Sequence, residues 1–167
     1  MGGKSDNGRR VRREEIPALV MDFRVYAGIT APFLICGSYR RGKPDCGDIE
    51  IVFLAEDKSG VRLAISQLFG TTADYGPIMH GPFRGVQFDL FIANTQEWGS
   101  MILHATGSGK FNMLMRARAK ERGYKLNQYG LWERTSEGDR RVIGGESELD
   151  YFAGLGMRYV KPEDRSI

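Results

Sequence analysis

Asp48 and Glu50 stand two positions apart in the run Asp48-Ile-Glu-Ile-Val-Phe-Leu54, and the alternate positions Ile49, Ile51 and Phe53 are apolar. Side chains alternate across a strand, so both carboxylates project from one face while the apolar residues enter a core. Two carboxylates aimed together repel unless a cation sits between them, and hard oxygen ligands of this kind suit Mg²⁺ bridging a phosphate. Asp89 is a third acid, inside Val86-Gln-Phe-Asp-Leu-Phe-Ile92. An unpaired charge in so apolar a strand is costly, and a metal would serve as its partner. Upstream, Gly37-Ser-Tyr-Arg-Arg-Gly42 combines glycines that let backbone approach a ligand, a hydroxyl, and arginines whose forked donors match phosphate oxygens. Together these residues point to metal-assisted chemistry on phosphate.

Helices and strands must hold those side chains in place. Ile16, Leu19, Val20, Phe23 and Tyr26 recur at helical spacing and predict a helix over Arg13–Ala27. Pro32–Gly37 is a short apolar run, followed by a loop rich in Gly, Arg and Pro and then a strand over Ile49–Leu54. A helix over Val61–Phe69, a hairpin-like stretch with its turn at His80-Gly-Pro82, and a strand over Val86–Ile92 complete this half. Beyond about residue 95 the character changes. A short helix over Glu97–Leu103 precedes Thr106-Gly-Ser-Gly109, which opens a long helix, Lys110–Arg122, ended by Gly123. Short strands with turns at Tyr129-Gly130 and Glu137-Gly138 follow. Ser147 caps a last helix that ends near Gly154–Gly156, with Asp150 three residues after the cap.

The chain has 167 residues, 41% apolar and 27% charged, which fits one compact body and no large multidomain enzyme. No apolar run approaches the ~18 residues of a membrane span, and the amino terminus has no signal-peptide core, so an intracellular setting, cytoplasmic or nuclear, is expected. The net charge of +3 understates the local charge: residues 1–13 carry Lys4, Arg9, Arg10, Arg12 and Arg13 against Asp6. Residues 110–141 hold nine Lys or Arg against four acids. Such stretches suit a phosphate backbone. Cys36 and Cys46 have no zinc-site spacing and are expected to be reduced.

The segment Gly37-Ser-Tyr-Arg-Arg-Gly-Lys-Pro-Asp-Cys-Gly-Asp-Ile-Glu50 resembles the signature of family X DNA polymerases, the DNA polymerase beta-like members of the nucleotidyltransferase superfamily. Arg13-Glu-Glu-Ile16, Thr106-Gly-Ser-Gly-Lys-Phe-Asn112 with Met115-Arg116, Tyr124-Lys-Leu-Asn-Gln-Tyr-Gly-Leu131 and Tyr159-Val-Lys-Pro-Glu-Asp-Arg165 are similar to further family segments in the same order. Gln87-Phe-Asp-Leu-Phe91 and the run from Tyr124 most resemble compact viral members. The resemblance implies an α+β fold: a nucleotidyltransferase palm with a mixed sheet and flanking helices, plus a small α/β carboxy-terminal subdomain, without lyase or helix-hairpin-helix domains. Residues 1–10 would be a disordered basic tail, 11–95 the catalytic palm, and 96–167 the nucleotide- and template-binding subdomain.

The resemblance also implies roles. Asp48 and Glu50 would bind two divalent ions, Mg²⁺ or Mn²⁺, about 3.5–4 Å apart. Asp89 would bind the catalytic one and help activate a primer 3′-hydroxyl. Arg13, Gly37, Ser38, Arg41 and Gly47 would hold the triphosphate of a dNTP, with His104, Ala105, Thr106, Gly107 and Asn112 also contacting the nucleotide. Arg116, Lys120, Lys125 and Gln128 would contact gapped or primer-template DNA, and the chain would act as a monomer. Two departures stand out. Glu50 replaces the usual aspartate, and His104-Ala105 replaces an aromatic pair that selects against ribonucleotides, so weakened sugar selection is expected. A template-independent nucleotidyltransferase and a catalytically silent DNA-end-binding module are the competing readings. Metal-dependent dNTP binding separates enzyme from scaffold, and template-dictated incorporation separates polymerase from transferase.

Overall fold

Ile16, Val20 and Phe23 lie one turn apart along one helix face, and all three are fully buried. Their helix belongs to a computed structural model that describes residues 9–70, 78–143, 145 and 147–167. Most of the expected amino-terminal tail therefore lies outside the described residues. In chain order the elements are β1 (Val11–Arg12), a 3₁₀ turn (Arg13–Glu15), α1 (Ile16–Ala27), β2 (Phe33–Ile35), α2 (Gly37–Arg40), β3 (Asp45–Cys46), β4 (Asp48–Leu54), α3 (Ser59–Phe69), β5 (Met79–Phe83), β6 (Val86–Ala93), α4 (Trp98–Thr106), α5 (Gly109–Glu121), β7 (Tyr124–Asn127), β8 (Gly130–Thr135), β9 (Gly138–Ile143) and α6 (Glu148–Gly154). A final 3₁₀ turn spans Pro162–Arg165. No helix among the described residues is long and apolar enough to cross a membrane.

The first half is a four-stranded mixed sheet in the order β2-β4-β6-β5. The central strands β4 and β6 run parallel, with α3 in their connection, and the outer strands β2 and β5 run antiparallel to their neighbours. Alternation gives the sheet two unlike faces. Ile49, Ile51 and Phe53 of β4 join Phe88, Leu90 and Ile92 of β6 in the core shared with Phe23 and Ile65 from α1 and α3. On the opposite face Val52, Phe91 and Ala93 pack with Met101, Ile102 and Ala105 of α4. The residues preceding them on that face are Asp48, Glu50, Gln87 and Asp89, so the acids sit beyond the apolar layer under α4.

The second half has its own core. Phe111, Met115 and Ala119 of α5 meet Leu131 of β8 and Tyr151, Phe152 and Leu155 at α6. The strands β7-β8-β9 form an antiparallel sheet of three. Ser108 and Ser147 cap α5 and α6: their hydroxyl oxygens accept from the amides of Phe111 at 3.3 Å and Leu149 at 3.1 Å.

Two sequence expectations are corrected. The turn expected at His80-Gly-Pro82 is instead part of β5, and the chain reverses at Arg84-Gly85, whose φ angles of 50° and 77° fit the primed two-residue hairpin turn. Pro82 is tolerated because β5 is an edge strand, and Gly81 is needed because a Cβ there would overlap the Phe69 ring. The stretch after Cys36 is also more than a loop: Gly37–Arg40 forms one helical turn, and Asp45–Cys46 pairs with β1. Cys36 and Cys46 are both buried and free.

Candidate active site

Parallel pairing of β4 with β6 sets Glu50 beside Asp89 and Asp48 beside Gln87. Each acid offers a carboxylate oxygen, and the three oxygens lie within 4.8 Å of one another. Burial is the main force on Glu50, and the neighbouring Asp48 and Asp89 add to it; Arg41 and the Ser38 amide oppose them, and the carboxyl is pushed up to about 8. The extra methylene of glutamate carries Glu50 Oε2 under the Gly37 turn, into the space a Cβ at Gly37 would fill. There Oε2 is buried without a hydrogen-bond partner. A buried, unsatisfied oxygen beside two further carboxylates is a poor arrangement for a protein alone and suits divalent cations, which prefer hard oxygen ligands.

The turn expected to hold phosphate lies next to the acids. Gly37 opens α2 with φ 56°. Arg41 Nη2 donates to Ser38 Oγ at 3.1 Å, Nη1 to the Thr106 carbonyl at 2.5 Å, and Nε to Ser166 Oγ at 3.1 Å. Arg41 thus ties the turn to the end of α4 and to the carboxy terminus. Arg13 donates to the Tyr39 carbonyl and stacks on the Tyr39 ring at 4.2 Å. Gly47 leads into β4, with the Arg10 guanidinium 3.1 Å from where its Cβ would be. Arg40 does not share Arg41's role: it pairs with Glu148 and donates to the buried Thr106 Oγ1 at 2.7 Å. Arg40 is thus neutralised by a carboxylate, whereas among the described residues Arg41 meets only hydroxyl and carbonyl oxygens and is the one whose charge can serve a phosphate. The Thr106 side chain is likewise used internally, and Gly107 leads on to the Ser108 cap of α5.

His104, Asn112 and Arg116 come together at the junction of α4 and α5. Asn112 Nδ2 donates to the His104 carbonyl at 2.8 Å, and Arg116 Nη2 lies 3.1 Å from His104 Nδ1. Arginine can only donate, so Nδ1 accepts. Burial, with Arg116 adding to it, pushes the imidazole down to about 4. Ala105 packs in the apolar layer with Val52 and Phe91. A cleft of about 370 Å³ opens nearby, and its lining includes Arg116, Lys120, Lys125 and Arg134. Lys125 is also 3.2 Å from Asp139. Gln128 lies outside that lining; its carbonyl accepts from Ser100 Oγ at 2.9 Å.

Sequence reasoning missed three contributors. His80 was hidden by the misplaced turn. Arg134 looked like one basic residue among many in a strand-and-turn stretch. The ion triad of Arg40, Glu148 and Arg165 joins residues up to 125 positions apart, a separation visible only in the fold.

A mixed sheet presenting three acids beside a glycine-arginine turn, followed by a second unit with a cationic cleft, defines the palm-and-thumb class of nucleotidyltransferase fold. Family profiles agree with this geometry: the DNA polymerase beta palm matches residues 10–74 and the DNA polymerase beta thumb residues 101–166. The chain belongs to the DNA polymerase beta-like family, family X. It is similar to DNA polymerase lambda of Rattus norvegicus, 28% identical over an alignment of 188 residues that takes in 93% of this chain and 33% of that protein. The chain thus spans about a third of the length of that polymerase lambda. It is also similar to the Repair DNA polymerase X of African swine fever virus, 25% identical over 139 residues, 77% of this chain and 78% of the viral protein. Among solved structures, a ternary primer-template complex of Leishmania infantum polymerase beta matches with a TM-score of 0.74 and 25% identity, covering 97% of this chain and 78% of that one.

Proposed function

We propose that this chain is a template-directed DNA polymerase that fills short gaps in DNA repair, transferring a nucleotidyl group from a dNTP to a primer 3′-hydroxyl and releasing pyrophosphate. The observation that carries this reading is the cluster of Asp48, Glu50 and Asp89 within 4.8 Å, with a buried unsatisfied oxygen on Glu50, beside the Ser38–Arg41 turn. The carboxylates fit two divalent cations: Asp48 and Glu50 would hold both, and Asp89 the one on the primer side. When bound, such ions supply charge stabilisation to the attacking and leaving oxygens of an in-line displacement.

The rest is work for the chain's own residues. Arg41, the Ser38 hydroxyl and the backbone at Gly37 and Gly47 bind the triphosphate, with Arg13 behind Tyr39 bracing the turn. Asp89 helps to activate the primer hydroxyl. Asn112 and Arg116, one helical turn apart, face the nascent pair with His104, Ala105 and Gly107 beside the nucleotide. Lys120, Lys125, Gln128 and the neighbouring Arg134 hold template by charge. Held to DNA by charge, the palm and thumb add few nucleotides per encounter. A monomer in an intracellular compartment is the matching physical form.

The test is extension of a labelled primer across a one-nucleotide gap, each dNTP offered alone with Mg²⁺ or Mn²⁺, beside an Asp89→Ala control. Template-dictated addition that disappears in the control is the expected result. Untemplated addition would replace this reading with a template-independent transferase, and tight DNA binding without addition would replace it with a scaffold.

A further inference from the structure

Register aligns three side chains across three strands on the acidic face: Glu50 on β4, Asp89 on β6 and His80 on β5. His80 Nδ1 lies 2.8 Å from Asp89 Oδ1, and Gln87 Nε2, two residues before Asp89 on the same face, donates to that same oxygen at 3.1 Å. A carboxylate oxygen only accepts, so the ring nitrogen facing it carries the proton. Among the described residues both hydrogen bonds to Asp89 converge on Oδ1 and none reaches Oδ2. The Asp89 side chain is 21% exposed and that of His80 56% exposed, so the pair stands at the solvent edge of the acidic cluster and not in the core. Neither an amide nor an imidazole carries an obligatory positive charge, so the pair can orient the carboxylate without neutralising it as a lysine or arginine would.

We propose that His80 is a positioning residue for Asp89: its Nδ1–H, together with the Gln87 amide, fixes Oδ1 and thereby presents Oδ2 to a divalent cation and the primer hydroxyl. This rests on the reading of the acidic triad as a cation site. Partners that orient a ligand in this way are worth about 10–100-fold in metal affinity. An exposed histidine-carboxylate contact with no such task would contribute little to anything measurable.

Two measurements separate these outcomes, and neither needs turnover. The chain has two histidines, so His80→Ala assigns the ring signals of a long-range ¹H–¹⁵N spectrum. In the metal-free protein the His80 ring should be in the Nδ1–H form, and Asp89→Ala should return it to the Nε2–H form common in free imidazoles. Mn²⁺ binding followed by electron paramagnetic resonance should weaken about 10–100-fold in His80→Ala. It should recover in His80→Asn, whose amide nitrogen takes the place of Nδ1, and not in His80→Gln, whose amide nitrogen takes the place of Nε2. A wild-type Nε2–H ring, an unchanged Mn²⁺ affinity in His80→Ala, or equal behaviour of the Asn and Gln variants would overturn the proposal. Wild-type protein that takes up no Mn²⁺ would instead sink the reading of the triad as a cation site, and the ring tautomer would still decide the hydrogen bond.

Discussion

Glu148 holds two cations at once, and removing its charge should be among the most damaging single changes in the chain away from the acidic triad. Arg165 is 0% exposed and Glu148 7% exposed; Arg165 Nη2 donates to Glu148 Oε2 at 2.6 Å, while Arg40 pairs with Oε1. Arg165 Nη1 already lacks a partner. Glu148→Gln would leave the Arg165 guanidinium buried without a counter-charge, a situation that costs about 3–5 kcal/mol when one partner of a buried pair is removed. The rings of Phe111, Phe152 and Tyr159, with centroids 5.3–5.5 Å from the guanidinium, offset part of that cost. The lower end, about 3 kcal/mol, is therefore expected, which for a chain of this size lowers the melting midpoint by roughly 6–12 °C. Urea unfolding followed by circular dichroism, beside calorimetry, measures both quantities. The exposed pair of Arg84 with Asp22 provides the contrast: Asp22→Asn should cost less than about 1 kcal/mol. A loss below about 1 kcal/mol for Glu148→Gln would refute the reasoning, because it would mean that Arg165 reaches water or another anion. Arg165→Met in the Glu148→Gln background should recover part of the loss, since it removes the stranded charge.

Arg134 lines the cationic cleft with Arg116, Lys120 and Lys125, so Arg134→Ala should weaken DNA binding and lower the slope of log affinity against log salt by about 0.9 for one lost phosphate contact; an unchanged slope would remove Arg134 from the DNA contact. With His104-Ala105 in place of an aromatic pair, incorporation efficiencies for dNTP and rNTP should be similar, and a strong deoxy preference in single-nucleotide kinetics would contradict this. His104 is held down to about 4 by burial and Arg116, so its ring signals should stay those of the neutral form as pH falls through 6.5, the ordinary value. Because the folded chain binds this proton more weakly than the unfolded chain, the linked stability is complete above about pH 6.5 and is lost progressively as pH falls toward 4. A ring that titrates at the ordinary value would show that water reaches it.

What the sequence determined by itself was what depends on near neighbours along the chain. Alternation from Asp48 to Leu54 implied a strand with carboxylates on one face, and β4 has that form because the opposite face is fully apolar. Helical spacing located α1, the Thr106-Gly-Ser-Gly109 run and Gly123 bracketed α5, and Ser147 was expected to cap the last helix, as the structure shows it does. The DNA polymerase beta-like family was legible for the same reason, since its motifs are short and local. Only the tertiary structure decided what depends on register and on distant packing. It decided that Asp89 pairs with Glu50, and that His80 belongs to a strand beside Asp89 and not to a turn. It also separated Arg40 from Arg41, two adjacent residues of one type, because Glu148 reaches one of them across 108 positions of sequence. Local preferences act over a few residues, whereas the pairing of strands and the burial of an ion triad are chosen by the whole chain closing around its cores.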